Sequence, residues 1–296
     1  MNVRLYVFFY LCSPFLKMKK IIANISPGIF SIFQFCSLVI VLTILISSCS
    51  KYSKILKSQD LNEKYEAAIK YYEEKDYYKA YPLLEELTVI YRGTSKAEKL
   101  AYYYSYCDYY TGDYILAGSR FKNFSLTYPN SQYAEECLFM SAYCHYLLSP
   151  DYSLDQEDTK SAISELQLFL NKYPKSPLAD SSNALIDDLH WKLEMKDYAN
   201  AKQYYKMRNY KSSIIALKNV LKDFPDTEYK EEISFLILKS SYLLAINSIE
   251  SKKEQRIKDT LTTYIKFADE FSKSVYLREA EKLYEDILSE KQKLAI

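Results

Sequence analysis

Apolar and polar positions along the chain repeat with the spacing of paired α-helices. In five places a small residue is followed by large side chains four, seven and eleven positions later, which places all four on one helix face. The small residues are Ala80, Ala117, Ala162, Ser213 and Thr260. We expect each to allow a neighbouring helix to approach, while the large residues fill the space between repeats. The pattern therefore predicts five copies of one helical unit.

A recurring turn signal closes each copy. Residues 128–131, 173–176 and 224–227 read YPNS, YPKS and FPDT. Proline cannot continue a helix, and it moves the preceding residue out of the helical region. We expect the Ser or Thr two residues after the proline to be the N-cap of the next helix. Each unit is thus predicted as helix A, a short turn, helix B and a proline stop.

The first 49 residues differ from these repeats. They carry four basic residues and no acidic one, and residues 29–46 are almost entirely apolar. A basic start followed by an apolar stretch is typical of an export signal. The alternative start of translation is Met18, which two lysines follow directly. The segment ends in ISSC, which resembles the bacterial lipobox, whose cysteine receives diacylglycerol. We therefore predict a signal peptide over residues 1–48, a lipidated Cys49 in a tether over residues 49–58, and a repeat domain over residues 59–296. An uncleaved transmembrane anchor is the alternative.

Three lysines follow Cys49 closely, at Lys51, Lys54 and Lys57. They could lie against anionic lipid headgroups, and a short solubilising tether explains them equally well.

The amino-acid composition argues against several classes of protein function. The chain has only 4 Gly and a net charge of +1, which argues against phosphate-cradling nucleotide folds and against nucleic-acid binding. Its two histidines show no metal-ligand spacing, and we predict neither a cofactor nor a catalytic residue. Loss of function on changing Cys144, His145 or His190, with the fold intact, would instead favour an enzyme. We expect the cysteines after Cys49 to be buried free thiols.

The chain is rich in tyrosine, with 32 residues. Tyrosine combines a large contact area with a polar tip and is enriched at binding interfaces. The helix A positions that would line a groove in the first two repeats are Tyr65, Ile69, Tyr72, Tyr102, Tyr106, Tyr109 and Tyr110. We predict that they bind an extended, aromatic-ended peptide; packing between helices is the alternative for any single tyrosine.

The repeat resembles the tetratricopeptide repeat, in which Ala is followed by Phe four residues later and Pro twelve residues later, as at Ala117, Phe121 and Pro129. The resemblance implies an all-α tetratricopeptide-repeat solenoid of about five helix pairs, with a C-terminal capping helix from residue 275 to about residue 293.

The lipobox, the repeats and the segments YSLDQ, FPDTEYKEEI and SIESKKEQR together resemble the BamD family of outer-membrane assembly lipoproteins. That resemblance implies a non-enzymatic scaffold at the outer membrane, lipid-anchored and facing the periplasm. It would bind the core subunit of the barrel assembly complex and unfolded outer-membrane proteins. Two alternatives are an envelope lipoprotein that organises cell-division or peptidoglycan enzymes and a glycan-uptake lipoprotein. The latter usually carries several surface tryptophans, whereas this chain has one, Trp191.

Overall fold

The computed structural model describes residues 51–294, which are all-helical with turns between the helices and contain no strand. After a helical segment at residues 51–57 come α1 (Leu61–Glu73), α2 (Tyr77–Ile90), α3 (Ala97–Thr111), α4 (Tyr114–Thr127), α5 (Ala134–Leu148), α6 (Glu157–Lys172), α7 (Ala179–Lys206), α8 (Tyr210–Asp223), α9 (Lys230–Ile246), α10 (Glu250–Glu270) and α11 (Leu277–Lys293). These form five helix pairs and one closing helix within the described range. The predicted all-α class and its number of helix pairs are confirmed.

The predicted signal peptide and Cys49 lie outside the described residues. Within residues 51–294, no helix has both the length and the apolar character needed to cross a membrane.

In three of the five helix pairs, the first, second and fourth, the turn between the helices combines one positive backbone angle with one capping side chain. In the second pair, Gly112 has a φ of 85°, and Asp113 then accepts a hydrogen bond from the backbone N–H of Leu116. The left-handed angle reverses the chain, and the carboxylate satisfies a free N–H of the new helix. In the first pair Lys75 takes the same angle without being glycine, with a φ of 62°.

Helix B ends one residue before the aromatic of the turn signal, as the prolines predict: α4 ends at Thr127, α6 at Lys172 and α8 at Asp223. The predicted N-caps lie two residues before the observed ones: the N-cap of α5 is Tyr133, not Ser131. Ser131 accepts a hydrogen bond from the N–H of Tyr133, and α5 begins only at Ala134. A backbone hydrogen bond from Ala134 to Ser131 closes a tight turn first, so the hydroxyl caps that turn and not the helix.

The small and large residues of the predicted repeat pattern lie in the protein interior. All five small residues are at most 1% exposed. The residues four and seven positions later are buried in every copy except the last, where Tyr264 is half-buried. Helices α4 and α5 pack closely at Gly118, where the Ser141 hydroxyl of α5 donates a hydrogen bond to the Gly118 carbonyl of α4 at 3.0 Å. An added Cβ on Gly118 would lie 3.2 Å from Cβ of Cys144.

The chain divides into two compact units after Cys107, with α3 running through the boundary. In the first unit, described from residue 51, the core contains Ala80, Leu84 and Leu100 together with Ile55 from the helical segment at 51–57. Tyr52 of that segment donates a hydrogen bond from its hydroxyl to the Lys79 carbonyl, at 3.3 Å. We call residues 51–57 the capping segment. Two side chains of the predicted tether, Tyr52 and Ile55, are therefore packed against the first helix pair.

In the second unit each helix from α4 to α11 packs against the next one along the chain. The 28-residue α7, the helix A of the fourth pair, is a single unbroken helix. The closing α11 contacts both α9 and α10 and buries Ala280 and Ile287 against them. It thereby covers the apolar face of the fifth pair, as expected of a terminal cap.

Candidate protein-binding surfaces

Five tyrosine rings form a continuous contact network in the first unit, which we call the tyrosine cluster: Tyr72, Tyr77, Tyr102, Tyr103 and Tyr106. The rings of Tyr72 and Tyr103 are stacked, with centroids 4.0 Å apart and planes 10° from parallel. Tyr102 lies 5.9 Å from Tyr103 and 4.9 Å from Tyr106, and Tyr77 lies 5.8 Å from Tyr72, all measured between centroids. The cluster joins the end of α1 and the start of α2 to the middle of α3.

The cluster brings together three of the predicted groove residues, Tyr72, Tyr102 and Tyr106, through Tyr103, which the sequence analysis did not select. Members of the cluster differ in exposure. Tyr106 is only 7% exposed, whereas Tyr72, Tyr102 and Tyr103 are half-buried. Tyr106 therefore contacts the ring of Tyr102 from the interior and offers little surface to a peptide. Ile69, another predicted groove residue, is also buried, at 9% exposure, and offers little surface to a peptide.

Tyr65 stands in a separate group near the start of α1. Its ring lies 6.1 Å from that of Tyr91, and the Lys96 ammonium sits 4.3 Å from the centre of the Tyr65 ring and 5.0 Å from that of Tyr91. The same ammonium donates to the side-chain carbonyl of Asn62 at 3.3 Å. A cation over two ring faces holds this group together.

Tyr109 and Tyr110 lie on the part of α3 that belongs to the second unit. The Tyr109 ring is 5.4 Å from that of Tyr110 and 5.7 Å from that of Tyr114. Burial raises the pKa of the Tyr109 phenol, and the nearby Tyr143 raises it further. Tyr110 remains half exposed, at 50%. Of this pair, Tyr110 is the one that presents its ring to solvent.

An aromatic row on α5 is the feature that the sequence analysis missed. Phe139 and Tyr143 stack with centroids 5.9 Å apart, and Tyr143 and Tyr146 stack with centroids 5.7 Å apart. The Tyr146 hydroxyl donates to Asp188 at 3.1 Å, and the Lys192 ammonium lies 5.5 Å from the centre of the Tyr146 ring. The signal was present in the sequence, because these residues stand at i, i+4 and i+7 of a helix A.

A groove of about 530 Å³ lies between α8 and α10, with α9 as its floor. Ile214, Ile237 and Leu244 give it an apolar lining. Its rim includes Lys211, Lys218, Lys266, Arg256, Asp259 and Glu270. Glu270 pairs with Lys230 at 2.7 Å, and Asp259 accepts a hydrogen bond from Gln255 at 2.9 Å. The three rim lysines have no ion-pair partner among residues 51–294, so the rim carries an excess of positive charge.

The cysteines and the two histidines are the side chains that could carry nucleophilic chemistry. Cys107, Cys137 and Cys144 are free and buried, as predicted. Burial raises the pKa of Cys144 to about 12, with a smaller contribution from Asp108, so the nucleophilic thiolate is scarce at neutral pH. His190 is exposed on α7. Across the described part of the chain, no group of His, Cys, Asp and Glu side chains has the arrangement of a metal site.

Paired helices that carry aromatic inner positions define a repeat protein of the tetratricopeptide type. Residues 57–257 match the family model YfiO, described as outer membrane lipoprotein. The match covers well over half of the chain, and the chain belongs to this family.

Two curated proteins are similar to the chain at low identity. It is 23% identical over 217 residues to the outer membrane protein assembly factor BamD of Pasteurella multocida, which covers 70% of this chain and 83% of that protein. It is 26% identical over 261 residues to the putative outer membrane protein assembly factor BamD of Aquifex aeolicus, which covers 86% of this chain and 82% of that protein. The predicted resemblance to the BamD family is confirmed.

Among solved structures, the tetratricopeptide-repeat domain of P58(IPK) is similar with a TM-score of 0.37 and 15% identity, and the match covers 81% of this chain and 69% of that one.

Proposed function

We propose that this protein is a lipid-anchored scaffold subunit of the outer-membrane β-barrel assembly complex. In this role it binds the core subunit of that complex and unfolded outer-membrane proteins, and it performs no bond chemistry. The observation that carries the proposal is the family match across residues 57–257, together with two relatives named as outer membrane protein assembly factors.

The anchor in this proposal is a lipid on Cys49. The sequence ISSC at residues 46–49 supports lipidation, because it offers a thiol acceptor after small residues and an apolar signal. Several acyl chains on one residue would hold the protein stably at the membrane. The description of the family, outer membrane lipoprotein, supports residence in the outer membrane, facing the periplasm.

Two kinds of surface support a scaffold that binds more than one partner. The tyrosine cluster and the α5 row offer aromatic faces, which suit a peptide that ends in aromatic residues. The groove between α8 and α10 has an apolar floor and a basic rim, which suits a folded partner with an acidic edge. We assign the aromatic faces to unfolded outer-membrane proteins and the groove to the core subunit.

Depletion of the protein in living cells tests the proposal. We expect the amount of folded outer-membrane barrel proteins, measured by their heat-modifiable migration on gels, to fall while inner-membrane proteins keep their levels. Wild-type protein should restore the barrels, and the Cys49→Ala variant should not. Unchanged barrel proteins accompanied by division or cell-wall defects would contradict the proposal and favour a division or peptidoglycan scaffold.

A further inference from the structure

The capping segment leaves almost no free chain between the proposed lipid and the folded domain. Ile55 is buried in the core of the first unit at 9% exposure, and Tyr52 packs edge-on against Tyr71 with ring centroids 5.7 Å apart. Only Ser50 separates Cys49 from Lys51, the first residue that the structure describes. Two extended residues span at most about 7 Å, so a lipid on Cys49 would hold this segment at the membrane surface.

The side of the capping segment that faces away from the core is positively charged. Lys51, Lys54 and Lys57 are exposed and recur every three residues, which gathers them on one side of the helix. Residues 50–58 contain no acidic side chain. Two carboxylates of the first helix pair have other partners: Asp76, whose charge acts on Tyr52, pairs with Lys79, and Glu63 accepts a hydrogen bond from the Ser58 hydroxyl at 2.7 Å. None of the three lysines is ion-paired with another described residue.

We infer that this lysine face binds the anionic headgroups of the membrane in which the chain is anchored, and so fixes the orientation of the first helix pair on that membrane. The inference rests on the proposed lipid at Cys49. All three ammonium groups lie on a segment about 10 Å long, and salt screens charges over about 8 Å at physiological ionic strength. Because the segment starts within that distance of the anchor, attraction to an anionic surface acts on it with little screening.

A polarity-sensitive fluorophore on the segment tests this contact. The full, lipidated protein carries NBD (nitrobenzoxadiazole) on a Ser53→Cys reporter, since the other mature thiols are buried or would be blocked by lipid. The protein is reconstituted in vesicles of phosphatidylethanolamine with phosphatidylglycerol, or in vesicles of phosphatidylcholine alone. We expect brighter, blue-shifted NBD emission in the anionic vesicles and a return to the phosphatidylcholine value at high salt.

Two lysine variants make the test specific. The K51Q/K54Q/K57Q protein should lose the anionic response, because each lysine near such a surface strengthens the contact by about 5-fold. The matched K175Q/K206Q/K222Q protein, which loses three exposed lysines of the second unit, should keep it. Equal NBD emission in the two vesicle types, or an anionic response that survives K51Q/K54Q/K57Q, would overturn the inference.

The intact mass of the purified mature chain reports lipidation separately. A chain that carries the lipid but shows no anionic response would refute the lysine contact and leave the proposed function standing. A chain without the lipid would refute the anchor and, with it, the basis of this inference.

Discussion

The ring of Tyr72 on α1 stacks on the ring of Tyr103 on α3, with centroids 4.0 Å apart and planes 10° from parallel. The pair fixes the inner helices of the first two repeats to each other within the first unit. Stacked aromatic pairs stabilise by about 0.5–1.5 kcal/mol beyond the area they bury. Because Tyr102 extends from the same contact, its ring is oriented by neighbours that are themselves held in place, which suits a preformed peptide-binding face.

Tyr102→Ala should weaken binding of a peptide that carries the C-terminal strand of an outer-membrane barrel protein. We expect a loss of about 10-fold in affinity, which corresponds to about 1.4 kcal/mol, because the variant removes a half-buried ring at the cluster. Fluorescence anisotropy of a labelled peptide measures the change, and circular dichroism checks that helicity is kept. Tyr102→Phe, which keeps the ring, and Tyr78→Ala, which removes an 80% exposed ring of α2, should both bind normally. Normal binding by Tyr102→Ala would place the peptide site elsewhere.

Ile55→Ala should destabilise the first unit, because the side chain is buried in the core beneath the capping segment. Truncation of a buried isoleucine costs about 2–5 kcal/mol, and we expect the low end at the edge of a unit. Urea unfolding followed by far-UV circular dichroism measures the free energy of unfolding. Leu56→Ala is the control, since Leu56 is 37% exposed and should change that free energy much less. Equal effects of the two variants would mean that the segment is a loose tether.

Acidification should destabilise the second unit partly through Glu232. Partial burial raises the pKa of this carboxyl, but hydrogen bonds from Lys202 and Tyr198 outweigh it and bring the pKa below its ordinary value of 4.5. A carboxyl with a lowered folded pKa contributes stability above its unfolded pKa, and that contribution is lost as the pH falls through the folded pKa. The free energy of unfolding should thus decline less steeply below about pH 4.5 in Glu232→Gln than in the wild type. Parallel declines in the two proteins would contradict the role of this group.

Thiol titration should separate the buried cysteines from Cys49. The native mature protein should react slowly with Ellman's reagent near pH 8, because Cys107, Cys137 and Cys144 are buried and burial raises the pKa of Cys137 and Cys144. After denaturation we expect three reactive thiols per chain, since a lipid on Cys49 blocks its sulfur. Six thiols would indicate an uncleaved, unlipidated chain, because the full sequence contains 6 cysteines.

The repeat architecture was predictable because it depends on local spacing. Small residues such as Ala117 and the proline stops specify helix faces and helix ends without reference to distant contacts, and both are found where the sequence predicts them. The predicted N-caps are two residues too early because Ser131 closes a turn before α5 begins, and a hydroxyl can cap either structure. The packed capping segment was not predicted, because seven residues are too few for a helical period to stand out.

The candidate surfaces were predicted less completely. A count along helix A identifies which tyrosines share a face, but it cannot tell a buried ring from an exposed one, and so Tyr106 and Tyr110 were selected together. Tyr103 was missed because its position in the helix differs from that of Tyr102 by about 100°. Its ring contacts with Tyr72 on α1 and with Tyr102 show that it belongs to the same cluster. The groove between α8 and α10 depends on the spacing of three helices, which a single sequence does not state.

Affinity purification of the tagged, detergent-extracted full-length protein, followed by mass spectrometry of the proteins that accompany it, tests the proposed assembly role most directly. We predict enrichment of an outer-membrane barrel protein that carries periplasmic repeat domains, together with unfolded barrel substrates. The enrichment should depend on the groove lysines, so that K211E/K218E/K266E loses the core subunit while K175E/K206E/K222E keeps it. Enrichment of cell-division or cell-wall enzymes without the barrel core subunit would contradict the assembly role.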